Sequence, residues 1–342
     1  MEYVLNKLPV KTTNNFKVND LKIDLDLPDI SDMKKFSISN DSLDISQDVI
    51  EGKLVSKIGL SFSKYLDVNI NIPKDVVIED SVIISYEFKN DDCLIDKINF
   101  NYGENSSCNF IIIYKSVDNN KHFHHLLSKI NSNANSKGSI TYINLLNDLS
   151  ENYIAIENDS LINSIISNNI IDIGSNIKVY NVYSNVYNKA SNYLNNIYLG
   201  SKNNIIDMNY YLNNIGEKST NRMRVEGAID DNCRKVFRGT IDFKEGCKNS
   251  IGDENENCIL LSDSVVSRSL PQMLCHEEDV VGSHGVSSGK VDEDKLFYIM
   301  THGYSKKEAE KLIVMANFSK ILNNILDDRI RDEIINIIED KI

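Results

Sequence analysis

Residues 223–229, MRVEGAI, and 237–243, FRGTIDF, decide the reading of the fold. Successive side chains on a strand point to opposite faces. Met223, Val225, Gly227 and Ile229 therefore share one side of the first stretch, and Phe237, Gly239, Ile241 and Phe243 share one side of the second. From Val76 to about Phe243, short apolar strings recur between Asn, Asp, Ser and Gly: VVIEDSVIISYEF, CNFIIIYKS, SIISNNIIDIG, NIKVYNVYSNVY and NNIIDMNYYL. They are too short, and too rich in β-branched and aromatic residues, for long helices, and their separators read as turns. The region is mostly β.

Many short strands without a strict repeat fit a sandwich, a propeller or a parallel β-helix. The β-helix accounts for the length and the close spacing of the strings, since each coil must stack on its neighbours to bury its inward face. Asparagine richness fits frequent turns and ladders in stacked coils. The first 75 residues combine acidic and Ser/Asn-rich segments with short apolar groups, and LKIDLDL within them alternates as a half-buried strand or an extended docking segment does. They read as an N-terminal appendage (1–75) to a β-helix core (76–288).

After Lys290 the period changes. VDEDKLFYIMTHG reads as a short helix with Asp292 as its cap and Gly303 as its stop. A second helix follows, with Ser305 and Glu308 at capping-box spacing and Ala309, Leu312, Ile313 and Ala316 on one face; Ile321, Leu322, Ile325 and Leu326 extend the pattern. A third places Ile330, Ile334, Ile337 and Ile338 near one face. Residues 289–342 thus form a helical domain whose apolar stripe is either intramolecular core or a partner-binding face.

The 342 residues suffice for a sizeable core. Thirty-seven basic against 50 acidic residues give a net charge of -13, which argues against a general nucleic-acid surface. The opening residues lack the apolar core of a signal peptide, and no apolar run approaches the ~20 residues of a membrane span. The six cysteines are scattered, so a cytoplasmic, mostly reduced protein is the expectation.

Chemistry concentrates at 271–294, PQMLCHEEDVVGSHGVSSGKVDED. Cys275 and His276 can bind a soft or borderline transition metal, and His284 and Glu277 can complete the set. On a regular strand Cys275 and His276 face oppositely, so joint ligation needs a turn or a second chain. His284, between Gly282 and Gly285, reads as a surface ligand, a proton carrier or a structural hydrogen-bonder. Gly289 and Lys290 fail the phosphate-loop pattern, because Val291 stands where Ser or Thr is needed. HFHH, with His122, His124 and His125, has no nearby acid or Cys and reads as a surface or interface cluster. No nucleophile triad is defined, and Cys233, Cys247 and Cys258 read as buried thiols. The chain is therefore not expected to be an enzyme.

The run 238–318 resembles the SufB/SufD family of iron-sulfur cluster assembly proteins. The resemblance is carried by the RG at Arg238 and Gly239, LLSD at Leu260 to Asp263, PQ at Pro271 and Gln272, SHG at Ser283 to Gly285, and GKVDEDKLFY from Gly289 to Tyr298. It implies a right-handed parallel β-helix with a small C-terminal helical domain. Members pair through their β-helical bodies and recruit the ABC-type ATPase SufC through the terminal helices. SHG looks closer to the SufD pattern, whose His contributes near the nascent cluster, and Ser262 stands where the SufB branch tends to have Cys. The chain's shortness resembles compact SufBD-type members.

The resemblance thus implies a non-hydrolytic scaffold or scaffold partner handling a transient iron-sulfur cluster. Its partners would be SufC, a sulfur donor system, and either itself or a SufB-like paralogue. His284, Cys275 and His276 are the candidate metal ligands, and Glu277 joins them as a cluster-binding candidate. No stable nucleotide site is expected, and flavin use is left open. Two alternatives stand beside this: an adaptor that binds SufC without holding iron or sulfur, and a β-helical carbohydrate-active enzyme, for which no convincing carboxylate pair is visible.

Overall fold

The alternating stretches become two strands, Thr220–Ile229 and Arg234–Phe243, on opposite walls of a right-handed β-solenoid. The computed structural model describes residues 1–12, 14–28, 30, 33–39 and 43–342. Two nine-stranded sheets form the walls. One runs from Asp44–Val55 and Ser61–Ile72 to Val266–Cys275; the other runs from Ser37–Ile38 and Val82–Phe88 to Val280–Lys290. Each begins with an antiparallel pair, and from there each strand lies parallel to the one a full coil away. Met223, Val225, Ile229, Phe237, Ile241 and Phe243 all lie in the enclosed apolar core, as their alternation requires.

The repeat is geometric rather than one of residue identity. Asn131 donates to Asn101 and Asn101 to Asn71, each across 30 residues, so one coil takes about 30 residues. At one corner the chain turns through a left-handed residue in successive coils: Asp75, Asn105, Asn135 and Asn163 have φ of 62, 58, 60 and 57°. Asn and Asp tolerate this conformation better than other side-chain-bearing residues. Their side chains also join coil to coil, Asn105 to Asp75 at 2.7 Å, Asn135 to Asn105 at 2.9 Å and Asn163 to Asn135 at 3.0 Å. Asparagine richness therefore serves both the turn and the ladder.

Each sheet's outer face has its own cover. In the N-terminal segment, Leu21–Asp24 pairs antiparallel with Glu2–Leu5. This segment docks on the first sheet through Asn6, whose amide donates to Tyr180 O at 2.9 Å and Asp207 Oδ1 at 2.8 Å. Arg238, fully buried, pairs with Asp207 at 2.6 and 2.9 Å and donates to the Val18 carbonyl. The HFHH cluster lies under this architecture and not at the surface: His122, His124 and His125 are all fully buried. His124 faces the interior, with its ring nitrogens 2.7 Å from Asn152 Oδ1 and 3.0 Å from Asp96 Oδ1. His125 points to the other face, 2.8 Å from Ser56 Oγ. Asp96 was invisible as a neighbour because it arrives from 28 residues away, one coil earlier.

Helix α1 (Glu293–Thr301) lies beside α2 (Lys306–Leu322), which together with α3 (Asp328–Lys341) covers the second sheet's flank. Asp292 caps α1, accepting from the Asp294 and Lys295 amides, and Ser305 with Glu308 forms a capping box on α2. The buried stripe of α2 is Ala309, Val314, Phe318, Ile321 and Leu322, rotated from the expected face, so Leu312 is 43% exposed and Ala316 is exposed. The sheet's outer surface decides this register: Ile197, Leu199, Ala228 and Ile259 receive the 314, 318, 321, 322 row. Each fully buried side chain of that row contributes roughly 1.5–3 kcal/mol.

Candidate functional site

Strands Val266–Cys275 and Val280–Lys290 form the last coil, and each has a hydrogen-bonded neighbour on one side only. Neither strand contains a fully buried residue. Two contacts fix how the strands face each other. Ser267 Oγ lies 2.7 Å from Ser288 Oγ, and a Cβ on Gly282 would stand 2.5 Å from the Met273 sulfur. Gly282 therefore leaves the space that the Met273 side chain fills, and counting inward between these pairs sets Pro271 opposite His284. The solenoid's ladders stack His284 on Glu254 and Pro271 on Gly239.

The layer beneath is polar. Glu254 and Glu256 both turn inward, each 1% exposed. Glu256 is well satisfied: Lys235 Nζ pairs with Oε1, Tyr198 OH donates to the same oxygen at 3.0 Å, and Ser269 Oγ donates to Oε2 at 2.6 Å. Glu254 has no such partners, and burial, with the nearby Glu256 charge second, pushes its carboxyl up to about 8. Neither acid stands out in the local sequence. The signal was their place in the inward alternation Gly252, Glu254, Glu256, Cys258, inside a DENEN run that otherwise reads as solvated.

The four expected site residues are spread along this coil. His284 lies mid-strand on the inward row, exposed because no further coil covers it. Cys275, the one exposed cysteine, ends its strand on the same inward row and donates to the Glu277 carbonyl at 3.0 Å. It faces Val280, four strand residues from His284, or roughly 13 Å along the strand. One chain therefore does not bring Cys275 and His284 together. His276 turns to the outer side, its Nε2 3.9 Å from Asp242 Oδ1. Glu277 accepts from the Gly246 amide at 3.0 Å and the Glu278 amide at 3.1 Å, backbone hydrogen bonds that hold its carboxyl below the usual range. Among the described residues, no three His, Cys, Asp or Glu are arranged to hold a metal ion. The other five cysteines are buried, and burial pushes the Cys93, Cys108 and Cys233 thiols up to about 12, which makes them poor nucleophiles.

Fold and site define a class: a β-solenoid with an appended helical module, whose polar chemistry gathers at one open end. The model of the SUF system FeS cluster assembly SufBD core domain matches residues 87–317, more than half of the chain. The chain belongs to that family. It is similar to the iron-sulfur cluster assembly protein SufD of Bacillus subtilis, 25% identical over 127 residues, and to SufD of Escherichia coli, 22% identical over 142 residues. It is also similar to an iron-sulfur cluster assembly SufBD family protein of Pyrococcus horikoshii, 29% identical over 132 residues. These stretches cover 37%, 42% and 39% of this chain but only 29%, 34% and 29% of the relatives' own lengths.

Proposed function

We propose that the chain is a non-hydrolytic scaffold, or one half of a paired scaffold, in SUF-type iron-sulfur cluster assembly, with the cluster as cargo. The observation that carries this reading is the position of His284. It stands on the inward row of the uncapped last coil, one short connection from the helices. On this reading the chain is SufD-like or a compact SufBD-type protein. It pairs through the open ends of both sheets with a second copy or a SufB-like paralogue, as unpaired strand edges favour. A two-chain interface would also supply the ligands that His284 and Cys275 do not provide to each other within one chain.

α1 buries none of its residues, and Phe297 and Tyr298 are 71% and 66% exposed, a surface suited to a SufC-type ABC ATPase. The chain would act in the cytoplasm beside a sulfur donor system, with ATP hydrolysed by the partner. Domain roles follow: 1–75 as an appendage whose later strands, Asp44–Val55 and Ser61–Ile72, join the first sheet, 76–288 as scaffold body and 289–342 as the partner-binding module. Anaerobic assembly of the full chain with SufC, cysteine-derived sulfur and iron tests this. The expected result is a complex that supports cluster formation; absence of both SufC binding and cluster activity overturns the reading.

A further inference from the structure

Glu254 is 1% exposed, and neither of its carboxylate oxygens has a hydrogen-bond partner. Two residues on, Glu256 shows what this interior supplies to a carboxylate: a lysine, a tyrosine and a serine. A buried polar group left unpaired costs roughly 1–3 kcal/mol, and more when charged. The fold nevertheless makes room for Glu254. Its carboxylate lies against Gly239 on the opposite wall, where any Cβ would collide with Oε1.

The layer above holds the complementary group. His284 is the ladder neighbour of Glu254, and Pro271, which has no N–H and an apolar side chain, is that of Gly239. Neighbouring strands stand about 4.8 Å apart, a gap that a metal ion bonded to oxygen and nitrogen at about 2.0–2.2 Å can bridge. Reach between these two layers is already evident at the adjacent inward position, where Ser269 of the last coil donates to Glu256 at 2.6 Å. A carboxylate with an imidazole suits divalent first-row transition metals.

We infer that Glu254 and His284 form a two-ligand seat for a divalent transition-metal ion between the last two coils, entered through the solenoid's open end. Two protein ligands hold such an ion loosely and leave its other positions to exchangeable ligands. That the ion seated there is iron destined for the cluster rests on the scaffold reading; the seat itself does not.

The test uses the full-length chain under anaerobic conditions, with aqueous cobalt(II) alone as the probe, followed by visible absorption and calorimetry. Glu254→Gln and Glu254→Met, both close in size to glutamate, should each weaken cobalt binding at least about tenfold without lowering the unfolding midpoint. His284→Ala should weaken it likewise. Unchanged affinity in both Glu254 variants overturns the seat, as does absence of binding by the parent chain. A thiolate-dominated spectrum abolished by Cys275→Ser also overturns it. The scaffold reading stands or falls separately: unchanged cobalt affinity in the variants with normal cluster formation beside the ATPase removes the seat alone, whereas cobalt loss in the variants with no cluster formed by the parent chain keeps the seat and removes the scaffold.

Discussion

His125 carries the clearest pH signature in the body of the solenoid. Burial, with the neighbouring His124 charge second, pulls its pKa from 6.5 down to about 3. Between those values the unfolded chain takes up a proton at this position that the folded chain refuses. Stability is therefore full above pH 6.5 and falls as pH drops toward 3, by up to about 1.4 kcal/mol per unit. His125→Gln should flatten that acid slope in denaturant midpoints measured from pH 7 to 4, and an unchanged slope would place the proton uptake elsewhere. The buried Lys235–Glu256 pair makes a second residue-scale case, since both side chains are fully buried. Lys235→Met leaves an uncompensated charge and should cost about 3–5 kcal/mol. The double variant Lys235→Met/Glu256→Gln should recover most of it in urea unfolding; no recovery would mean that Lys235 acts mainly through Ser269.

Among the elements, α1 and α2 do different work. α2 joins the core through Val314, Phe318, Ile321 and Leu322, whereas α1 buries nothing and presents Phe297, Tyr298 and Met300. Replacing Phe297 and Tyr298 together by Ala should shift stability by no more than about 0.5 kcal/mol while weakening ATPase binding at least about tenfold, as loss of an aromatic anchor pair does. Unchanged affinity by calorimetry would move the partner surface off α1. The caps at Asp292 and Ser305 were legible because they depend on residues three apart at most. The docked face of α2 was not: residues 309–322 are apolar on more than one side, and only the sheet beneath selects Val314 over Leu312.

For the whole molecule, the strand content could be read from alternation at 223–229 and 237–243, because side chains of one parity enter the core, whereas the choice of a coil over a sandwich or a propeller came from the length, the close strand spacing and the family resemblance. What lay beyond reach is whatever depends on stacking across a coil. Asp96 and Asn152 meet His124 from the coils on either side, and Glu254 meets the row of His284 only through a ladder between strands. Local sequence around HFHH or DENEN holds no trace of these partners. The site residues were legible as a stretch, but Cys275 and His276 diverge there because neighbours on a strand point apart. An open terminal coil carrying His284, with a helical module beside it, is the arrangement on which the scaffold account depends. Its most direct test is the iron and acid-labile sulfide content of the full chain after anaerobic assembly with the SufC-type ATPase, compared with His284→Ala. The account predicts that both are bound by the parent complex and lost in the variant with the fold intact; a complex that forms normally but carries neither iron nor sulfide would contradict it and identify an adaptor.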